Sequence, residues 1–273
     1  MNKIKERINM FKRIYPRRFN LLWKSIALLL GLILFFGLWS LLANHIASIV
    51  IPGPLKTLQS IIKLLGKFNT YKILGYTIFR LILALLSAAL VGIVLGSLAG
   101  YYQFIEYMLK PIVIVLRSFP SIAIMLILII FTKNASFYLV GIVLFPLIYE
   151  ATLRGVSEIK NEYISILKLD GQDSIVNIPK VVVPLATDYI LIGVFQSLGL
   201  GLKVQIMGES LMGSTTYVGV GIEIYKAYLN LDMDIVFAYS ILAITLIIIA
   251  DLLTVVLKRK LKQRLLEQGK AKA

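Results

Sequence analysis

The feature that most constrains this chain is a succession of apolar runs, most of them close to twenty residues long, separated by short polar or proline-containing breaks. A helix rises about 1.5 Å per residue and the hydrocarbon core of a bilayer is about 30 Å thick, so about twenty apolar residues make one crossing. Residues 25–43, 77–100, 111–131, 135–149, 181–207 and 236–257 supply such runs, which predicts an all-α membrane protein of about six transmembrane helices. Run 111–131 carries Arg117, Ser118 and Pro120, so it reads either as one kinked span or as a short helix followed by a span. Run 25–43 is long for the apolar part of a cleaved leader and reads as a retained anchor.

Composition agrees. Hydrophobic residues make up 59% and charged residues 16%, against the quarter or so that a soluble domain carries, so the apolar excess has to face lipid. The net charge of +15 does not read as a nucleic-acid surface, because the basic residues collect at the ends. Residues 1–24 form a basic N-terminal segment and 258–273 a basic tail, and both are expected in the cytoplasm of a bacterial-type inner membrane. An even number of crossings then places 150–180 in the cytoplasm and 208–234 outside, where Glu209, Glu223, Asp232 and Asp234 face only Lys226. Lys56, Lys63, Lys67 and Lys72 fall outside against the rule and are outnumbered by the termini.

Between the runs, 55–67 alternates apolar and basic residues at helical spacing after the breaker Ile51-Pro52-Gly53-Pro54, and predicts an amphipathic interfacial helix. Gly92, Gly96 and Gly100, four apart, suit close helix packing in lipid. Residues 101–110 read as a polar break. The polar stretch 150–180 is poor in Gly, Ser and Pro and predicts a pair of short amphipathic helices meeting at Gly171. Such a stretch is a handle that a soluble motor can grip.

The chemistry the chain lacks is as informative. It has no cysteine and only one histidine, His45, which reads as interfacial; neither a metal site nor a histidine-based triad is expected. The sequence contains no Gly-x-x-x-x-Gly-Lys-Ser/Thr loop and no Gly-x-Ser-x-Gly elbow, so no catalytic residues and no bound cofactor are expected, and any ATP must be held by another subunit.

Residues 165–184, from Ser165-Ile166-Leu167 through Gly171 to Pro184, resemble the cytoplasmic Glu-Ala-Ala loop of binding-protein-dependent ABC transporter permeases. Ser165-Ile166-Leu167 stands where Glu-Ala-Ala is usual, and Asp170 replaces the common Leu or Met. Ile51-Pro52-Gly53-Pro54, Leu116-Arg117-Ser118-Phe119-Pro120, Lys203 with Glu209, and Gly219-x-Gly221 resemble motifs of the nitrate/sulfonate/taurine-type subgroup in order and spacing. The resemblance spans most of a transmembrane permease domain at 25–257 and implies a type I ABC importer permease-like bundle with a cytoplasmic coupling-helix loop at about 150–180. It further implies a second permease copy in a homodimer, cytoplasmic ABC ATPase subunits that bind the ATP, and an extracytoplasmic solute-binding protein. The cargo would be a small solute such as a sulfonate, taurine, a nitrate-like anion or a vitamin precursor.

On this reading Ser165, Leu169, Asp170, Gly171, Ile175, Ile178 and Pro184 form the ATPase-coupling loop. Asp188, Gln196 and Lys203 fall near one stripe of the fifth span, and Gln196, Lys203 and Glu209 are the candidates for the translocation path. Asp188 and Lys203 alternatively snorkel to opposite interfaces. Glu209 either pairs with Lys203 or touches the binding protein; Arg117 either faces a path or anchors to headgroups; Gly219 and Gly221 suit a tight outer turn. An ion-coupled secondary transporter and a membrane-embedded lipid enzyme are the competing classes. The first should show inverted repeats and the second a polar cluster at one interface.

Overall fold

The computed structural model describes residues 16–46, 50–169, 178–213 and 217–271, and among these every regular element is helical. In chain order they are α1 (Pro16–His45), α2 (Pro54–Leu65), α3 (Phe68–Tyr101), α4 (Gln103–Ser118), α5 (Ser121–Phe131), α6 (Ala135–Leu169), a π-turn Ile178–Val182 with the short helical turn Val183–Leu185, α7 (Thr187–Met212), α8 (Val220–Leu229) and α9 (Met233–Ala271). Five described helical stretches are long and apolar enough to cross a membrane, and α4 with α5 forms an apolar pair bent by 94°, a broken span or a re-entrant loop.

The centre of the bundle is α6, gripped between α3 and α7. The glycine row of α3 explains the grip. A Cβ at Gly96 would lie 2.7 Å from the backbone oxygen of Tyr149, and one at Gly100 2.7 Å from that of Leu153. Only glycine lets the two backbones come so near, and in lipid, dispersion contacts of this kind replace the hydrophobic effect as the force between helices. On the other side of α6, a Cβ at Gly193 would fall 2.4 Å from that of Ala151, and one at Gly155 2.5 Å from that of Tyr189. The main core lies where these helices meet, with Met125, Leu139, Val140, Leu144 and Ile148 fully buried.

The first helix stands apart. Its large side chains are exposed almost all round. It touches the rest through Trp39, whose Nε1 donates to the Pro52 oxygen at 3.0 Å and whose ring stacks on Phe237. Pro54, at the first turn of α2, starts that helix without losing a bond. The Lys56 ammonium then ties α2 to the start of α9 through Asp234 at 2.9 Å.

Several expected boundaries are corrected. The expected meeting of two helices at Gly171 lies outside the described residues, and the stretch after Glu150 does not open a separate short helix, because α6 runs unbroken from Ala135 to Leu169. Its charges are matched inside the helical frame, Glu150 by Arg117 at 2.5 Å and, more loosely, by Arg154 at 3.9 Å, so polarity here brings no loop. Residues 101–110 are likewise no extended break, since α4 begins at Gln103 and carries Pro111 inside it. Residues 111–131 prove to be the ends of two helices that meet at Phe119-Pro120. The fifth span begins at Thr187, after Pro184 has interrupted the chain, and continues through Glu209 to Met212 rather than stopping at 207.

Candidate functional site

At the end of the bundle that bears α8 a carboxylate is enclosed by three elements. Glu209 of α7 has no exposed surface. Its Oε2 accepts from Thr77 Oγ1 at 2.9 Å and from the backbone N–H of Gly221 at 3.2 Å; its Oε1 accepts from Arg80 Nη1 and Gln205 Nε2, each at 3.0 Å. Thr77 in turn accepts the N–H of Val220 at 2.9 Å. Four donors around one carboxylate offset the cost of taking it out of water. The Arg80 guanidinium lies 4.9 Å from the Tyr217 ring centroid, covering its far side. The network therefore fastens the first turn of α8 to α3 and α7.

The glycine pair of this region serves that closeness. Gly219 is extended, at φ 178°, so no left-handed turn requires it. A Cβ there would sit 2.5 Å from the Glu209 carboxyl carbon, and one at Gly221 would sit 2.1 Å from the Ile206 oxygen. The tight outer turn expected of these glycines is thus replaced by a close approach to a buried anion. Of the two alternatives for Glu209, the pairing with Lys203 is not the one seen: its partner is Arg80. Glu209 lies six residues beyond Lys203, and at 3.6 residues per turn that points it to another side of α7.

The stripe itself is present. Gln196, Leu200 and Lys203 are all exposed along one face of α7, and Asp188 is half-buried at its start. Among the described residues Lys203 forms no ion pair, whereas Glu209 on the same helix has four partners. Arg117 pairs with the Glu150 carboxylate.

The opposite end of the bundle holds the expected coupling region. Ser165 and Leu169 lie in the last turns of α6; Asp170, Gly171 and Ile175 lie outside the described residues. Where the chain returns, Ile178 is buried in the π-turn and packs with Tyr101, Val156, Val182 and Ala186, while Pro184 is exposed. Lys160 Nζ donates to the Tyr101 oxygen at 2.6 Å and Ser157 Oγ to the Gly100 oxygen at 3.2 Å. These bonds satisfy carbonyls that the end of α3 leaves open, and they put a cation at a helix C-terminus. The far end of α6 is tied to the outer network, since Gln205 Nε2 also reaches Ser136 Oγ at 3.4 Å and a Cβ at Gly208 would lie 3.1 Å from that of Ser136. One helix, α6, joins both ends.

The sequence reading missed Arg80, Thr77 and Gln205. Arg80 carried a usable signal: an arginine one turn into an apolar run calls for an acidic partner at membrane depth, and Glu209 answers it.

Residues 92–263 match the family model described as binding-protein-dependent transport system inner membrane component. A putative aliphatic sulfonates transport permease protein of Bacillus subtilis is 27% identical over 219 residues, covering 79% of this chain and 78% of that one. The nitrate import permease protein of Synechocystis is 30% identical over 206 residues, covering 70% and 72%. Among solved structures, the inward-facing MetNI methionine ABC transporter shares the fold with a TM-score of 0.62 at 16% identity, over 71% of this chain and 96% of that one. Five long apolar helices and a bent pair, a central helix that starts beside a buried charged network and ends at Leu169, and these likenesses lead to one assignment: the chain belongs to the family of binding-protein-dependent transport system inner membrane components, the multi-pass permease subunits of ABC importers.

Proposed function

We propose that this permease moves a small anion, of the size and charge of a sulfonate, nitrate or bicarbonate, along the face of α7 that carries Gln196 and Lys203. The observation that carries the reading is Lys203, an exposed ammonium with no ion pair among the described residues, set within an apolar helix. An uncompensated cation at that place is costly unless it meets water or an anionic cargo. The named relatives support the class of solute, since they are described as permeases for aliphatic sulfonates, nitrate and bicarbonate. A second copy of the chain, facing the first across this stripe, would close the path. Two cytoplasmic ATPases would hold the ATP and grip the segment that follows Leu169, and a solute-binding protein would deliver cargo to the face that bears α8. Both termini then lie in the cytoplasm.

The test is reconstitution of the permease with its ATPase and binding protein in proteoliposomes, with uptake of labelled taurine, nitrate and bicarbonate measured side by side. Lys203→Met should abolish uptake of whichever anion the wild type carries while ATP hydrolysis persists. Undiminished uptake in that variant would remove Lys203 from the path.

A further inference from the structure

A charged cleft lies between α4 and α6 and an apolar groove between α3 and α6 with Leu116 of α4 at its edge, and neither has a role in the function described above. The cleft encloses about 260 Å³ and is lined by Glu106 and Lys110 of α4 and by Tyr149, Glu150 and Arg154 of α6. The groove, about 310 Å³, continues toward the middle of the bundle past Ala88, Val91, Leu116, Gly141 and Phe145. The Phe145 ring lies 5.8 Å from that of Tyr149, so the end of one cavity adjoins the other. The cleft sits at the end where α6 runs on toward the coupling segment.

The charges in the cleft are unevenly satisfied. Arg117 and Arg154 both face Glu150. Glu106 and Lys110, one turn apart on α4, form no ion pair among the described residues, although a Glu four residues before a Lys is the favoured order for one. The Tyr149 side chain is 97% buried, yet its hydroxyl has no hydrogen-bond partner among them. A buried hydroxyl without a partner carries a desolvation cost that a ligand can relieve.

We propose that this pair of cavities is a binding site for one phospholipid with a zwitterionic, primary-ammonium headgroup, of the phosphatidylethanolamine type. The phosphate meets Lys110 and Arg154, and a turn of the Tyr149 side chain toward the cleft would bring its hydroxyl to the same acceptor. The primary ammonium donates charge-assisted hydrogen bonds to Glu106, which a quaternary ammonium has no N–H to make. One acyl chain lies in the apolar groove. A free anion does not fit both halves, because it offers nothing to Glu106 or to the groove. A purely anionic lipid leaves Glu106 facing like charge. The lipid would brace α4 against α6, the helix that reaches the coupling segment.

The test uses the full-length permease in nanodiscs holding equal amounts of phosphatidylethanolamine, phosphatidylglycerol and phosphatidylcholine, with the retained lipids counted by native mass spectrometry. The wild type should hold phosphatidylethanolamine about fivefold over the other two, the scale of one charge contact at a membrane surface. Glu106→Gln should erase that preference, and Lys110→Gln should lower retention of all three lipids. Gly141→Leu should lower retention while keeping the preference, because the leucine fills the groove; a Cβ there meets only Ser87 Oγ, at 3.9 Å, so the added side chain starts in open space. Equal retention of the three lipids by the wild type would overturn the proposal without any variant. A preference that survives Glu106→Gln would overturn it too, as would unchanged retention in Gly141→Leu.

Discussion

Arg80 Nη1 lies 3.0 Å from Glu209 Oε1, a contact that joins α3 to α7 across 129 positions of sequence with the carboxylate wholly buried. Breaking a buried pair by removing one partner leaves an uncompensated charge and costs about 3–5 kcal/mol. Glu209→Ala should therefore lower the melting temperature of the detergent-purified chain strongly. Arg80→Met should do so less, because three other donors still hold the carboxylate. The double variant should be milder than the sum of the two, with a coupling energy of about 0.5–3 kcal/mol. Strict additivity in thermal unfolding would show that the two groups do not act on each other.

Gly219 permits the same network from the other side. Gly219→Ala places a methyl group against the Glu209 carboxyl carbon and should destabilise by about 1–3 kcal/mol. Its cost should shrink in a Glu209→Ala background, where the obstructing group is gone. An undiminished cost there would mean that the glycine serves something other than this approach.

The glycine row of α3 makes a prediction with an internal control. Gly96→Ala drives a methyl group into the Tyr149 carbonyl and the Thr152 side chain, so α3 and α6 must part. Gly75, on the same helix, has nothing within 4 Å of the added carbon. Gly75→Ala should be neutral or stabilise by up to about 1 kcal/mol, since alanine is the better helix former. Melting curves of the two variants should move in opposite directions or diverge by more than the propensity term.

Lys160 and Gly171 bear on coupling. Lys160→Met removes the bond to the Tyr101 oxygen and should cost about 1 kcal/mol. In the reconstituted complex it should also raise the ATP hydrolysed per solute moved, because the end of α6 is freed from α3. A bulky residue at Gly171 should give the stronger uncoupling with the chain still inserted. Unchanged stoichiometry in both would separate this end of α6 from the coupling step.

How much of this was legible in the sequence depends on what each residue has for a neighbour. The interiors of the spans were plain, since a run such as 77–100 in α3 has only one solvent it can face. The ends were not. Glu150, Arg154, Glu158 and Lys160 looked like the edge of a loop because charge usually marks water, yet Glu150 pairs with Arg117 and Lys160 caps α3, partners that local spacing does not reveal. Glu209 was singled out, but its true partner lies more than a hundred residues earlier, and no periodicity carries information over that distance. Gly219 and Gly221 were seen as special and misread, because close approach and positive φ leave the same mark on a sequence. The stripe of Gln196 and Lys203 followed from helical spacing alone and lies on one exposed face, as that spacing requires.

The elbow at Phe119-Pro120 has a consequence for insulation. Sixteen residues of α4 and eleven of α5 come to about 24 and 16 Å, so neither arm alone bridges the hydrocarbon slab. The turn between them leaves non-helical peptide groups at depth, and Phe119 and Pro120 are both exposed on the single chain. Oil is a forbidden neighbour for such groups. In a bilayer that spot calls for a water-filled cavity or a second polypeptide beside it.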